Sequence, residues 1–382
     1  MNMRRSSEDV DLGLFATDPE PVPARMILSE KAFHRMILSE RRRTERSHKP
    51  FLVMLLDMGD ERPTGNQQSG LSKSVEVLSL STRETDVVGW YKNNRVVGVM
   101  FTEIDAEERR QILNIVLARV TAALQTSLSF EQFKQIGISF HWFPDDWREL
   151  AKRRPNLSAL YPDLTTRDQA RKVSSTLKRA IDVCGSLLAL IAASPIFLFI
   201  ALAIKLTSKG PVFFKQERIG QCGVPFPILK FRSMYVGNNC SSHKEYMLQL
   251  IAGVAERKSC NGNGQGIYKL TKDDRVTPIG KFLRRTSLDE LPQFINVLKG
   301  EMSLVGPRPP IDYEVDKYDL WHRRRVMEAK PGITGLWQVN GRNRLAFNEM
   351  VRLDLQYARS WSPWLDLKIL LRTPRAVVAG AR

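Results

Sequence analysis

The 382-residue sequence predicts an α+β protein attached to a membrane: a small ferredoxin-like α/β domain, one apolar helix-break-helix segment, and a cytosolic α+β domain. Three observations predict it. Residues 26–145 alternate strand-like and helix-like patterns around one hairpin signal. Positions 183–204 form a run of 22 without a charge. Beyond Lys209 short strand and helix patterns resume with ordinary polarity.

The elements follow in chain order. Met1 to Arg25 is polar, lacks an apolar core of the signal-peptide kind and is expected to be disordered. Ala32 to Arg46 has helical character with a basic end, and Phe51 to Leu56 reads as a buried strand. Gly59 to Gly70, rich in Gly, Pro, Asn and Gln, reads as a loop. Val87–Tyr91 and Val96–Phe101 flank Lys92-Asn93-Asn94-Arg95, a hairpin signal. Glu107 to Leu124 is amphipathic, with Ile112, Ile115, Val116, Val120 and Leu124 on one face. Ile136 to Trp142 closes the domain as a strand. Residues 146–176 read as a basic linker carrying Arg153, Arg154, Arg167, Arg171 and Lys172. Such segments are drawn to anionic lipid by about 1 kcal/mol per basic residue.

Val183 to Ile204 is long enough to reach across a bilayer. Lys178 and Arg179 precede it, Lys205 and Lys209 follow, so neither end reads as an exterior end. Ser194-Pro195 lies near its middle. Proline removes a backbone donor and bends a helix, and a neighbouring serine can satisfy the freed carbonyl. Three arrangements fit: a helix re-entering by the same face, a kinked spanning helix, and a buried helix of a soluble domain. Gly210-Pro211 then turns the chain into strands at Val212–Phe214 and Pro227–Phe231, around a loop at Gly220–Pro225. Asn238 to Gly266 reads as a variable stretch, and the alternating glycines within it, Asn261 to Gly266, as a flexible loop. These glycines lack the preceding strand and following Lys-Ser/Thr of a phosphate-binding loop.

The net charge of +17 and isoelectric point near 9.9 call for an anionic partner. Nucleic acid, anionic lipid and a phosphorylated substrate all fit the charge. No nucleic-acid module is recognisable, and many basic residues cluster near the apolar run and near an acid pair, so nucleic acid is not expected. Cys184, Cys222, Cys240 and Cys260 have no zinc or C-x-x-C spacing and read as reduced thiols facing the cytosol.

That acid pair, Asp289-Glu290, lies in the densest stretch, Leu270 to Pro310. Ser287-Leu288-Asp289-Glu290 fits a helix capping box, and Pro292 suits a first helical turn. A purely structural role is therefore open. The same geometry also fits chemistry. A helix start binds phosphate, and a carboxylate there can attack phosphorus. Arg284, Arg285 and Arg308 lie nearby in sequence, and Mg²⁺ can bridge phosphate oxygens.

From about Leu177 to Thr373, roughly half the chain, a series of motifs occurs in order. It begins with Lys178-Arg179-x-x-Asp182 and the run broken by Ser194-Pro195. Gly210-Pro211-Val212-Phe213-Phe214, Gln216-Glu217-Arg218-Ile219-Gly220 and Lys230-Phe231-Arg232-Ser233-Met234 follow. Then come Thr271-x-Asp273-x-Arg275-x-Thr277, Leu288-Asp289-Glu290-Leu291-Pro292-Gln293 and Ser303-Leu304-Val305-Gly306-Pro307-Arg308-Pro309. Lys330-Pro331-Gly332-Ile333-Thr334-Gly335 and Gln338-Val339-Asn340-Gly341-Arg342 end the series. Together they resemble the bacterial sugar transferase family, monotopic phosphoglycosyl transferases that start exopolysaccharide and O-antigen assembly. The resemblance implies a re-entrant membrane helix at about 179–206, broken at Ser194-Pro195, within a catalytic domain spanning 177–382. It implies transfer of a sugar-1-phosphate from a UDP-sugar to polyprenyl (undecaprenyl) phosphate at the cytoplasmic face of the bacterial inner membrane. By the same resemblance Asp289 is the nucleophile, UMP leaves, and Asp289 and Glu290 are the residues at Mg²⁺. Lys230, Arg232, Arg284 and Arg308 would contact phosphates, and Arg342 is a candidate for the nucleotide, against a plain surface arginine in a turn. Glucose, galactose and an N-acetylated amino sugar all remain open, and a homodimer is compatible.

Trp361 to Arg372 is amphipathic and suits either a membrane interface or core packing. The domain at 26–145 resembles a degenerate GGDEF-type domain through Leu55-Leu56-Asp57 and Arg83-x-x-Asp86-Val87-Val88. Tyr91-Lys92-Asn93-Asn94-Arg95 replaces the glycines and acids of that family's hairpin, so a regulatory or dimerising module is expected rather than a cyclase. A membrane-tethered, nucleotide-sensing regulator is the competing overall reading, and retention of both acids with the arginine set argues against it.

Overall fold

The structure, a computed structural model, describes residues 27–57, 65–104, 109–144, 157–163, 172–235, 241–255, 258–259, 266–267 and 275–380. Met1–Arg25, most of the 146–176 linker and residues 261–265 of the glycine run, all characterised above, lie outside them. The chain forms two compact units.

The amino-terminal elements are α1 (Glu30–Ser47), β1 (Phe51–Asp57), α2 (Gly65–Ser81), β2 (Val87–Lys92), β3 (Val96–Phe101), α3 (Arg109–Ser127) and β4 (Gly137–Phe143). Their four strands form one sheet in the order β2-β3-β1-β4, with β2 and β3 antiparallel. β1 is apolar at nearly every position because both its faces are covered: Leu52 and Met54 on one face and Phe51 and Val53 on the other are all fully buried. At the hairpin turn Asn94 adopts φ 55°, a left-handed conformation that asparagine tolerates. Two expectations change here. Part of the predicted loop at 59–70 is helical, since α2 starts at Gly65. Its later turns bury Val75 and Leu78, and that packing outweighs the low helix propensity of its glycine-rich start. On α3, Val120 and Leu124 are buried as expected, but Ile115 is half exposed.

The carboxy-terminal unit is organised around α4 (Lys172–Thr207), a helix of 36 residues. It is long and apolar enough to cross a membrane. Leu188, Ile191, Leu198 and Phe199 of its middle are exposed. The chain stays helical through Pro195. Pro195 cannot donate to the Ile191 carbonyl, and the Ser194 hydroxyl donates to it instead at 2.8 Å. The expected break at Ser194-Pro195 does not interrupt the helix, because the serine satisfies the carbonyl that proline leaves free.

Both ends of α4 are tied to the same body. β5 (Phe213–Ile219) and β6 (Pro225–Phe231) form an antiparallel hairpin, longer than the predicted strands. Beyond it lies α5 (Ser241–Ile251), a helix inside the stretch read from the sequence only as variable; it buries Met247, Leu250 and Ile251 against Val315 and Tyr318. Next come α6 (Pro278–Thr286), α7 (Gln293–Lys299) and β7 (Ser303–Val305), which pairs in parallel with β8 (Gly332–Thr334). The unit closes with α8 (Leu320–Glu328), α9 (Phe347–Ser360) and α10 (Pro363–Gly380). At the start of α4, Arg179 donates to the Val297 and Leu298 carbonyls at 2.6 and 2.7 Å, satisfying orphan acceptors at the end of α7. Buried Asp182 accepts from the Ser303 hydroxyl and the Leu304 N–H at 3.0 and 2.9 Å. Lys178 reaches Asp366 of α10 at 2.7 Å, where the Tyr357 hydroxyl and Trp361 Nε1 also meet the carboxylate. At the other end Ile200 and Ile204 pack with Phe231 and Leu283. α10 fits both of its readings: Ile369 and Asp366 are buried, while Trp364 and Leu371 are 72% exposed.

Lys178→Met leaves the buried Asp366 without its cation. Breaking one side of such a pair costs about 3–5 kcal/mol. Thermal unfolding in detergent should show Lys178→Met well below wild type, with Lys178→Met/Asp366→Asn recovering part of the loss. Equal midpoints for all three proteins would refute a role for the pair.

Candidate active site

The acid pair sits in a tight connection between two helices. α6 begins at Thr277, whose hydroxyl accepts from Gly280 N at 2.9 Å, with Pro278 in its first turn. It ends at Ser287, which adopts φ 57°, a left-handed conformation. The Ser287 hydroxyl makes no cap bond. The predicted capping box is therefore absent, because Ser287 closes the preceding helix instead of opening the next. Leu288–Glu290 form a single 3₁₀ turn, and α7 follows Pro292, which has no N–H to offer to a ladder.

Within this turn the two carboxylates meet opposite environments. Asp289 is 8% exposed. Burial raises its pKa to about 6; Glu290 adds to the rise, while Lys230 and Arg284 oppose it. Glu290 accepts a 2.8 Å bond from Lys230 and keeps its side chain 34% exposed. Burial works against its charge, but Lys230, Arg308 and Arg342 outweigh this and hold its pKa below the usual range. One acid thus stays ionised while its neighbour titrates near neutrality.

β6 delivers Lys230 to this place, and Asn296 holds β6 against α7. This fully buried asparagine accepts from Leu229 N at 3.0 Å and donates to the Pro227 carbonyl at 2.8 Å. Nothing in the sequence reading singled it out. A polar residue in the apolar run Phe294-Ile295-Asn296-Val297-Leu298 is the signal that was there to find.

The predicted cations separate into two groups. Lys230, Arg284, Arg308 and Arg342 all act on the acid pair. Arg342 is held at φ 46° in a 3₁₀ turn and donates to the Ala376 carbonyl at 3.3 Å. A non-glycine residue in this region signals strain that its surroundings must maintain. Arg232 goes elsewhere. β6 ends at Phe231, and the buried Arg232 guanidinium turns to Ser208 at the end of α4, 2.7 Å from its carbonyl and 2.8 Å from its hydroxyl. The structure therefore does not bring it to the acid pair with the other four. Ser194 and Pro195 lie within α4.

Among the described residues no three His, Cys, Asp or Glu side chains gather as a closed metal cage. Mg²⁺ usually takes one or two carboxylates and completes its shell with water and substrate phosphate. The pair Asp289 and Glu290 fits that donor set.

The model of the family described as bacterial sugar transferase matches residues 173–380, the part of the chain that holds this site. The chain belongs to the bacterial sugar transferase family. Family relatives include a galactosyl transferase of Streptococcus agalactiae, CpsE, 43% identical over 204 residues, which are 53% of this chain and 42% of that protein. An undecaprenyl-phosphate galactose phosphotransferase of Salmonella typhimurium is 40% identical over 55% of this chain and 42% of its own length. The exopolysaccharide production protein ExoY of Sinorhizobium fredii is 39% identical over 54% of this chain and 88% of its own. The chain therefore spans 42% of the first two relatives, and the shared part is its transferase region.

The opposed environments can be measured directly. The Asp289 carboxyl carbon should titrate by NMR near pH 6, about two units above an ordinary aspartate. Lys230→Met removes a charge that favours the carboxylate, so it should move that titration upward. A midpoint near 4 in the wild type, or a downward shift in the variant, would contradict the site described here.

Proposed function

We propose that the chain transfers a sugar-1-phosphate from a UDP-sugar to polyprenyl phosphate by a two-step covalent route at Asp289. The observation that carries this reading is the buried, titratable Asp289 beside a Lys230-paired Glu290, faced by Arg284, Arg308 and Arg342. A carboxylate oxygen of Asp289 attacks the sugar-linked phosphorus, and the bond from that phosphorus to UMP breaks. A phosphosugar–Asp289 ester remains. An oxygen of polyprenyl phosphate then attacks the same phosphorus and releases the carboxylate. The relatives named as undecaprenyl-phosphate and exopolysaccharide proteins support this acceptor and a role in exopolysaccharide assembly.

In this scheme the arginines offset the repulsion between a carboxylate and a diphosphate, a large contribution in phosphoryl transfer. Burial serves the nucleophile in a second way, since a poorly solvated carboxylate loses little hydration on attack. Asp289 and Glu290 would hold Mg²⁺, which supplies neutralisation of phosphate charge. Arg342 is the candidate for the nucleotide end of the donor.

The contacts at the two ends of α4 support re-entry. Lys178, Arg179 and Asp182 bind one side of the transferase unit, and Ile200, Ile204 and Ser208 bind it again. A helix crossing a bilayer would hold its ends about 30 Å apart on opposite faces. Both basic flanks then stay on the cytoplasmic face. The element and strand order of the amino-terminal part supports a ferredoxin-like domain, read as a regulatory or dimerising module.

The deciding experiment is UMP release from a panel of UDP-sugars with Mg²⁺ and undecaprenyl phosphate, beside Asp289→Asn. Acceptor-dependent release from one donor, lost by at least about 10³-fold in the variant, is expected. The rate should fall with decreasing pH through about 6, because protonation removes the attacking carboxylate. Release retained by Asp289→Asn would discard the nucleophile, and no release with any donor would discard the reading.

A further inference from the structure

Residues 307–310 read Pro-Arg-Pro-Pro. Three of these four residues have no N–H, so the run cannot hold itself in a backbone ladder. It is held through its carbonyls instead, and each of the four is taken by a different donor. Gly332 N donates to the Pro307 carbonyl at 2.8 Å, and Ile219 N to the Pro310 carbonyl at 2.9 Å. Between them, Arg325 Nη2 donates to the Arg308 carbonyl at 3.3 Å and Arg218 Nη1 to the Pro309 carbonyl at 3.0 Å. The entry to the run is equally tight, because a Cβ on Gly306 would collide with the Lys330 carbonyl. Arg308 is thus the one long side chain on a backbone stretch whose neighbouring φ angles are fixed by proline. Its charge acts on Glu290.

The two side-chain donors are both buried arginines. Arg218 is 7% exposed, and its remaining N–H groups go to Gln216 Oε1 at 3.1 and 2.8 Å. Burial, followed by the like charge of Arg308, pulls its pKa down to about 10. That repulsion is tolerated where the planar fork has two fixed acceptors, Gln216 and the Pro309 carbonyl. Arg325 is 5% exposed and pairs with buried Asp354 at 2.6 Å. A surface arginine would serve neither purpose. Each of these two gives one hydrogen bond to the main chain that carries a third arginine.

We propose that Arg218 and Arg325 are positioning residues that aim Arg308 at the acid pair by clamping the Arg308 and Pro309 carbonyls. The proposal rests on the transferase reading for its consequence, since Arg308 would meet a phosphate oxygen of the donor. Its geometry stands on the clamp itself.

The test combines kinetics with a structural readout on full-length protein in detergent. In UMP release, Arg218→Met should lower kcat about 100-fold, the size of effect an ångström of misplacement produces, while leaving the thermal midpoint close to wild type. Arg218→Lys, which keeps a donor for Pro309, should recover to within about tenfold of wild type. In an Arg308→Met background, Arg218→Met should cost less than about threefold more, because both changes remove one and the same contact. Independent losses, or an Arg218→Met enzyme as active as wild type, would overturn the proposal. Arg308 carries the one backbone N–H between Gly306 and Ile311, so its amide reports the clamp apart from activity. Its NMR order parameter should stand at about 0.85 in wild type and fall below about 0.6 in Arg218→Met. If wild type releases no UMP, the transferase reading fails alone and this amide decides the clamp: an unchanged order parameter in Arg218→Met overturns it.

Discussion

The grip on the amino end of the long apolar helix α4 is the constraint on which the rest of the transferase unit depends. Lys178, Arg179 and Asp182 lie within five residues of each other, yet they bind α10, α7 and β7 respectively. One turn of helix therefore fixes three elements at once. β7 leads directly into the Pro307–Pro310 run that carries Arg308, and α7 leads directly out of the acid turn. An apolar helix can do this because Lys178, Arg179 and Asp182 lie ahead of its uncharged run. The buried Lys178–Asp366 pair carries a desolvation cost that a hydrophobic pair would avoid, and its three further partners at Tyr357, Trp361 and Val305 offset part of that cost.

The site uses the same physics in the opposite sense. Asp289 is buried without a direct cation, so its charge is poorly compensated and its proton affinity rises. Glu290, one residue away, holds the lysine that would have compensated it. The division assigns different work to two adjacent carboxylates, and the 3₁₀ turn makes it geometrically possible. In such a turn neighbouring side chains point about 120° apart, so one acid faces the interior and the other the mouth. Asn296 then keeps Lys230 on Glu290 by fastening β6 to α7.

Much of the site was legible in the sequence because chemistry demands residue types. Paired acids, arginines at short range and a proline-broken apolar run have few other uses in combination, and the motif series gave the family that the comparison bears out. Asp289, Glu290, Arg284 and Arg308 could be named as candidates from the residues, and Lys230 and Arg342 from the family resemblance, without coordinates. The same holds for β1, the β2–β3 hairpin and α1, whose patterns are strong and local, and for the serine that satisfies the carbonyl beneath Pro195.

What only the tertiary structure decided concerns direction and long-range partners. Ser287 has the sequence of a cap, but the neighbouring helix end takes its backbone into a left-handed turn, and local pattern cannot see that competition. Arg232 lies two residues from Lys230, yet the strand ends between them and sends the guanidinium to Ser208. α2 forms where composition suggested a loop, because buried residues such as Val75 and Leu78 outweigh poor helix propensity. Arg218, Asn296 and Arg325 bond groups 91, 69 and 17 residues away. Sequence determines which groups are available and which segments seek lipid or a core. Packing determines which of them meet, because a buried hydrogen bond forms only where distant backbone polar groups have already been brought out of water.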